Sequence, residues 1–166
     1  MRVIRYHERI ADAAAHIVAS AKGNDDHGSW AAAVALCGTA CEAAAAYALR
    51  SFLEVDAARA VPLHHESLTR AIRELLDSTA TVNLRVPTQC ALWFALANDD
   101  IVSSWPDWHR YPPFVKLRNT VVHSGLVDKA GSLPSRTDAD EALSIARSFH
   151  AHLKAVMHRE GLASYA

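Results

Sequence analysis

Apolar residues recur along this chain at helical spacing, every three or four positions. Residues 2–21 carry such a stripe and predict a first helix, which Gly23 is placed to end. Residues 30–54 are apolar nearly all round and predict a central second helix, with Ser29 as its N-cap. The stripe of the first helix comprises Val3, Tyr6, Ile10, Ala13, Ile17 and Ala21.

The middle of the chain predicts shorter helices. We expect a third helix from His65 to Asp77, with leucines and isoleucine on its inner face. Pro87 suits a first helical position, and residues 88–97 then form a short helix. One or two further turns follow, capped by Asn98 or Asp99.

The last part of the chain predicts two helices separated by loops. Three prolines in residues 106–113 exclude regular structure from this segment. The last two, Pro112 and Pro113, stand where the next helix starts, and that helix runs to Ser124. Gly125 then fits the C′ position.

Thr137 or Asp138 caps the final helix. Apolar residues at helical spacing form a stripe on this helix that faces the core. The sum is an all-α fold, an up-and-down bundle of four to five main helices in one domain over residues 1–166. The inward stripe consists of Leu143, Ala146, Phe149, Leu153 and Met157.

Composition agrees with a single globular domain, because 166 residues with 51% hydrophobic and 21% charged residues can bury a core. A net charge of −1 provides no global basic field for a long nucleic acid, so any anion site must be local. Three cysteines without a CxxC pair, and an N-terminus without a signal-peptide core, favour a cytoplasmic protein. Residues 30–49 resemble a membrane span in length, but Glu42 near their centre indicates a buried core helix and no membrane partner.

The segment LRNTVVHSG, residues 117–125, places polar residues in a helical turn that otherwise belongs to the core. On an ideal helix Arg118 falls inside the apolar arc, about 140° from His123. An arginine in that arc needs a counter-ion, and Glu42 is the isolated acid of the apolar second helix. We therefore expect Glu42 and Arg118 to form an ion pair across the bundle. The apolar arc comprises Phe114, Leu117 and Val121, extended by Val115 and Val122.

Asn119 and His123 share the opposite face of this helix, four residues apart. Asn119 is therefore placed to hydrogen-bond the imidazole, and the helix dipole near the C-terminus favours a cation at His123. A structural interpretation stands beside this one, since histidine often caps a helix end and arginine often extends from an apolar edge.

The run RNTVVH at 118–123 resembles the hallmark of the HEPN superfamily: an arginine, a polar residue, three more positions and a histidine. Flanking FVKL and SG, and the lone Glu42 on a long early helix, are similar to the family's surroundings. The resemblance implies a helical bundle that forms homodimers in which two motif helices meet. Many such proteins are metal-independent endoribonucleases, and others are non-catalytic modules that bind nucleotide, RNA or a protein partner.

For a ribonuclease, the resemblance implies that Arg118, Asn119 and His123 form the catalytic site and that no cofactor is needed. Histidine can transfer protons near neutral pH, and arginine offers a fork of donors to phosphate. Such a protein would act as a toxin or defence effector, with an antitoxin or another protein as partner. The third hypothesis, from a different class, is a helical interaction domain in which the motif only caps and packs.

Residues 105–114 precede the motif and are rich in aromatic side chains. They would cover one end of the bundle, or they would contact RNA by stacking and by charge. The candidate RNA contacts are Arg110, Lys116, Trp108 and Tyr111. The ten histidines include no HExxH or Cys/His ligand spacing, so we expect no metal site.

Overall fold

A computed structural model describes most of the chain. Its residues are 3–21, 23, 26–58, 90, 93, 97, 99–127 and 131–162, with the backbone alone at 3–7 and 53–58. The helices are α1 (Val3–Ser20), α2 (His27–Ala58), α3 (Ile101–Ser104), α4 (Tyr111–Ser124) and α5 (Arg136–Arg159). All regular elements in this part of the chain are helical, which confirms the predicted all-α bundle of four to five helices.

Two predicted helices lie wholly or partly outside the described residues. The helix expected at 65–77 is outside them. Of the short helix expected at 88–97, Cys90, Trp93 and Ala97 are described, and each is helical.

Helix α2 is the centre of the bundle, because α1, α5 and α4 all pack against it. Its buried face includes five alanines, whose short side chains let neighbouring helices approach closely. Residues His27–Phe52 are long and apolar enough to cross a membrane, but 56% of their most apolar window is buried inside the protein. The prediction of a central core helix is confirmed by these contacts.

The helix caps correct three sequence predictions. Asp26, rather than Ser29, accepts a hydrogen bond in the first turn of α2, from the backbone N–H of Ser29 at 3.2 Å. Asp100 caps α3 by accepting from Val102 N at 3.2 Å, in place of Asn98 or Asp99. Several neighbouring residues can cap a helix, and only the backbone path decides which side chain faces the free N–H groups.

The cap of α5 is Ser135, and Asp138 is its partner three positions into the helix rather than the cap itself. Ser135 Oγ accepts from Asp138 N, while the Asp138 carboxylate accepts from Ser135 N at 2.9 Å. The predicted inward stripe of α5 is confirmed, because all five of its residues are buried.

Residues 105–111 form a compact aromatic junction between α3, α4 and α5. Trp105 is buried among the rings of Trp108, Tyr111, Phe149 and His152. The sequence predicts irregular structure over residues 106–113, and this prediction is wrong in part. Residues Trp108–Arg110 form a 3-10 turn, and α4 already begins at Tyr111. The predicted covering role of this aromatic segment therefore holds for Trp105 in the structure.

Helix α4 ends as the sequence predicts. Gly125 adopts a left-handed conformation with φ of 70°, and its N–H donates to the carbonyl of Val121 at 2.8 Å. Phe114 and Val121 are buried, but Val122 is 52% exposed. The apolar arc is narrower than predicted because α4 rests mainly on α2 and touches α5 only marginally.

Candidate functional site

The side chain of Arg118 crosses from α4 onto the surface of α2 at Gly38. A Cβ atom added to Gly38 would lie 2.9 Å from Arg118 Nε and 3.1 Å from Arg118 Cδ, and still closer to Cγ. The arginine side chain therefore occupies the volume that any larger residue at position 38 would fill. Glu42 lies one helical turn further along α2, on the same face as Gly38.

Glu42 is the counter-ion of Arg118. Arg118 Nη2 donates to Glu42 Oε2 at 2.5 Å, and the two side chains are only 16% and 18% exposed. The contact predicted between these residues is therefore present. Burial raises the pKa of the Glu42 carboxyl above its usual value of 4.5, and the charge and hydrogen bond of Arg118 act in the opposite direction.

Asn119 holds the other side of the same guanidinium. Its Oδ1 accepts a hydrogen bond from Arg118 Nη1 at 2.8 Å. Asn119 therefore orients Arg118 and not the imidazole of His123, contrary to the sequence prediction. The side chain of Arg118 bends back along α4 toward its sequence neighbour, a path that a helical wheel does not represent.

Unused donors remain on the guanidinium. An arginine carries five N–H groups, of which Nη1 and Nη2 each use one on Asn119 and Glu42. The Nε–H is buried without a hydrogen-bond partner. One further N–H on each of Nη1 and Nη2 has no partner among the described residues, and two donors on one planar cation can match the oxygens of a phosphate.

His123 lies on the exposed face of α4, in its last turn. Lys116, Asn119 and Val122 are also exposed on this helix. In the described part of the chain no hydrogen bond joins His123 to Arg118, so the structure brings Arg118, Asn119 and Glu42 together and leaves the imidazole facing solvent. Among the described residues no second proton-transfer group meets that exposed face, and a complete acid–base site would need one there.

Tyr111 cannot serve as the predicted RNA contact, because it is 3% exposed. Its ring stacks on Phe149 with centroids 5.0 Å apart and planes 12° apart. Burial raises the pKa of the Tyr111 phenol well above 10.0. Trp108 is half-buried and packs against Trp105 and Tyr111, so most of its ring is likewise committed to the fold.

Arg110 is also engaged within the chain, so its predicted contact with RNA would compete with partners that the structure already supplies. Its guanidinium donates to both oxygens of Glu141, at 2.8 and 2.7 Å, and to Asp107 Oδ1 at 2.9 Å. Hydrogen bonds to Glu141 and then to Asp107 raise the pKa of Arg110 further above its usual value. Lys116 differs, since it is exposed on α4 and remains a candidate contact.

The polar cluster around Asp99 is satisfied by hydrogen bonds within the chain. Asp99 is buried and accepts from Trp93 Nε1 at 2.8 Å, from Ser104 Oγ at 3.0 Å and from His152 Nε2 at 3.1 Å. Burial raises the pKa of Asp99, but these hydrogen bonds outweigh it and hold the pKa below 3.8. His150 instead faces Ala40 O at 3.3 Å, so the two nearby histidines point to different partners.

Metal and thiol chemistry find no support among the described side chains. No group of three or more His, Cys, Asp or Glu residues in that part of the chain could hold a metal ion. Cys37 and Cys41 are buried free thiols, and burial raises the pKa of Cys37 to about 12. A thiol with such a pKa is not a nucleophile near neutral pH.

Gly38 is the residue of this site that the sequence analysis overlooked. A usable signal was present, because Gly38 interrupts an alanine-rich helix one turn before the isolated Glu42. Comparison with known protein families, curated proteins and solved structures finds no match for this chain. Function must therefore be argued from the geometry of Arg118 and its neighbours.

Proposed function

We propose that this protein is a HEPN-type, metal-independent endoribonuclease that acts as a homodimer through α4. The observation that carries the proposal is the environment of Arg118, a permanently charged guanidinium anchored by Glu42 and Asn119 that keeps N–H donors on both terminal nitrogens. His123 lies on the exposed face of the same helix. A cation fixed for phosphate and a histidine for proton transfer are the two groups that RNA cleavage without a metal needs.

The proposed reaction is a transesterification within RNA. The ribose 2′-OH attacks the adjacent phosphorus, the P–O5′ bond breaks, and the products are a 2′,3′-cyclic phosphate and a 5′-OH. One His123 accepts the proton of the 2′-OH, and a second protonates the leaving 5′ oxygen. Arg118 stabilises the added negative charge on the non-bridging oxygens as the phosphorane-like transition state forms.

A dimer would bring a second His123 to the proposed site. One chain has one His123, and this imidazole faces solvent. Pairing two copies of α4 would bring two imidazoles to one cleft and would cover Val122, the neighbour of His123, which is 52% exposed in the single chain. Lys116 on the same helix would add positive charge for the flanking phosphates.

The decisive experiment is cleavage of a panel of structured and unstructured RNAs by the purified protein in excess EDTA. We expect 2′,3′-cyclic phosphate ends, and we expect both Arg118→Ala and His123→Ala to lower the rate at least a hundredfold. His158→Ala is the matched control, since His158 is an exposed histidine near the end of α5. Equal activity of His123→Ala and His158→Ala would refute the proposed site.

A second candidate is a non-catalytic HEPN-like dimer that binds nucleotide, RNA or a protein partner. The ion pair favours it, because Glu42 already neutralises much of the charge that Arg118 would offer to a transition state. The same RNA panel separates the two. RNA that is bound by the wild type, released by Arg118→Ala and left intact would identify the binding module.

A further inference from the structure

Gly38 occupies an unfavourable position for a glycine. It lies inside α2, in a stretch rich in alanine, where glycine is the poorest helix former apart from proline. Its backbone is not among the positive-φ glycines, so conformational freedom does not explain it. The reason for glycine at this position must lie in the space beside its Cα.

That space is filled by one side chain. All of the three nearest atoms to a Cβ built on Gly38 belong to Arg118, namely Cγ, Nε and Cδ. The Nε–H of Arg118 is buried there without an acceptor. The position of this side chain against α2 therefore leaves one buried donor unsatisfied, which costs free energy. In this position its terminal nitrogens reach Glu42 and Asn119.

We propose that Gly38 is a positioning residue for Arg118, which holds the guanidinium on α2 so that its two remaining terminal N–H groups face one oxyanion of a phosphodiester. The identity of the ligand rests on the proposed function. The seating of Arg118, meaning the packing of its side chain against Gly38, rests only on the contacts between these two residues. A methyl group at position 38 lifts Arg118 off α2 and separates the guanidinium from Glu42 and Asn119. The arginine then samples many conformers and no longer presents a fixed pair of donors.

A thermal double-mutant cycle tests the seating. Gly38→Ala lowers the Tm of the wild type, because the new methyl collides with Arg118. In an Arg118→Ala background the collision is gone, and the same substitution raises the Tm by about 2–4 °C through helix propensity. Gly28→Ala is the matched control on α2, since nothing lies within 4 Å of its added Cβ. Because Gly28 lies in the first turn of α2 and does not touch Arg118, this substitution changes the Tm by the same small amount in both backgrounds.

The sign reversal is the result that a glycine without close contact to Arg118 would not produce. A shift of the same sign for Gly38→Ala in both backgrounds would overturn the proposal.

Arginine side-chain NMR supplies a second readout that does not require Arg118→Ala to fold. The buried Nε–H of Arg118 exchanges slowly with water in the wild type. Gly38→Ala accelerates this exchange at least tenfold, and Gly28→Ala leaves it unchanged. Unchanged exchange in Gly38→Ala would show that the arginine is not seated by the glycine.

RNA cleavage then connects the seating to the site. Gly38→Ala lowers the cleavage rate to the level of Arg118→Ala, and the double variant loses nothing more. Full cleavage by a folded Gly38→Ala protein would overturn the positioning role. If the wild type itself cleaves no RNA, the proposed function fails, while the Tm reversal and the Nε exchange still decide the role of Gly38.

Discussion

The carboxylate of Glu42 and the guanidinium of Arg118 meet with Oε2 and Nη2 2.5 Å apart, although the residues are separated by 76 positions in the chain. The contact joins the central helix α2 to the motif helix α4. Both side chains are less than one-fifth exposed, at 16% and 18%, so solvent and salt screen the pair less than an ordinary surface pair.

Removal of the charge on Glu42 should therefore destabilise the fold. We expect Glu42→Gln to lower the free energy of unfolding by about 1–3 kcal/mol, because the mostly buried guanidinium of Arg118 loses its charged hydrogen-bond partner. Urea denaturation provides the measurement. Glu141→Gln is the control, since Glu141 also pairs with an arginine but is 49% exposed, and it should cost less than about 1 kcal/mol. Equal losses in the two variants would mean that burial adds nothing to the Glu42 pair.

The aromatic junction gives a prediction about stability rather than RNA binding. Tyr111 is buried and stacks on Phe149, so Tyr111→Ala should lower the free energy of unfolding by about 3–5 kcal/mol. Tyr111→Phe keeps the ring and should lose less than half as much. The two variants are compared by thermal and urea unfolding. A Tyr111→Ala protein as stable as the wild type would contradict the packed position of this ring.

Val122 tests the proposed dimer surface. We expect Val122→Glu to weaken self-association at least tenfold, because a glutamate placed in the α4 interface would lose its hydration without a partner. Val102→Glu is a close control, since Val102 lies on α3 and is 50% exposed against 52% for Val122. Sedimentation velocity over a range of concentrations measures the change. Identical sedimentation of both variants and the wild type would exclude this face from the dimer.

His150 predicts a pH dependence of stability. Burial lowers its pKa below 6.5, while the hydrogen bond to the Ala40 carbonyl and the charges of Glu8 and Asp12 act upward and Lys154 acts downward. The unfolded chain takes up a proton near pH 6.5, and the folded chain keeps His150 neutral to lower pH. The contribution of His150 to the free energy of unfolding is therefore complete above pH 6.5. It falls with decreasing pH, by up to about 1.4 kcal/mol per pH unit, until the pKa of the folded state is reached.

Unfolding free energies measured between pH 5 and 7.5 test this contribution. This range covers the roughly one-unit spread of histidine pKa values in folded proteins. His150→Gln should flatten the profile relative to the wild type, whatever its effect on stability at pH 7.5. His158→Gln, a change at an exposed histidine of the same helix, should leave the slope unchanged. A wild-type slope retained in His150→Gln would assign the pH dependence to other groups.

Much of this architecture follows from the sequence because helices depend on local periodicity. The inward stripe of α5, the glycine that ends α4 and the central position of α2 are each visible in the order of residues. The partnership of Glu42 and Arg118 is also predictable, because an arginine in an apolar arc and a lone acid in an apolar helix each need a counter-ion. These inferences use only the helical repeat and the cost of burying charge.

The tertiary structure alone decided which side chains were already engaged. Asn119 contacts Arg118, Tyr111 is buried in the core and Arg110 pairs with Glu141. From the sequence, each of these residues was a candidate for a site contact. A helical wheel gives the direction in which a side chain leaves its helix but not the path of a long flexible chain, nor the neighbours that helix packing brings to it. The close approach of Arg118 to Gly38 likewise depends on the packing of α4 against α2.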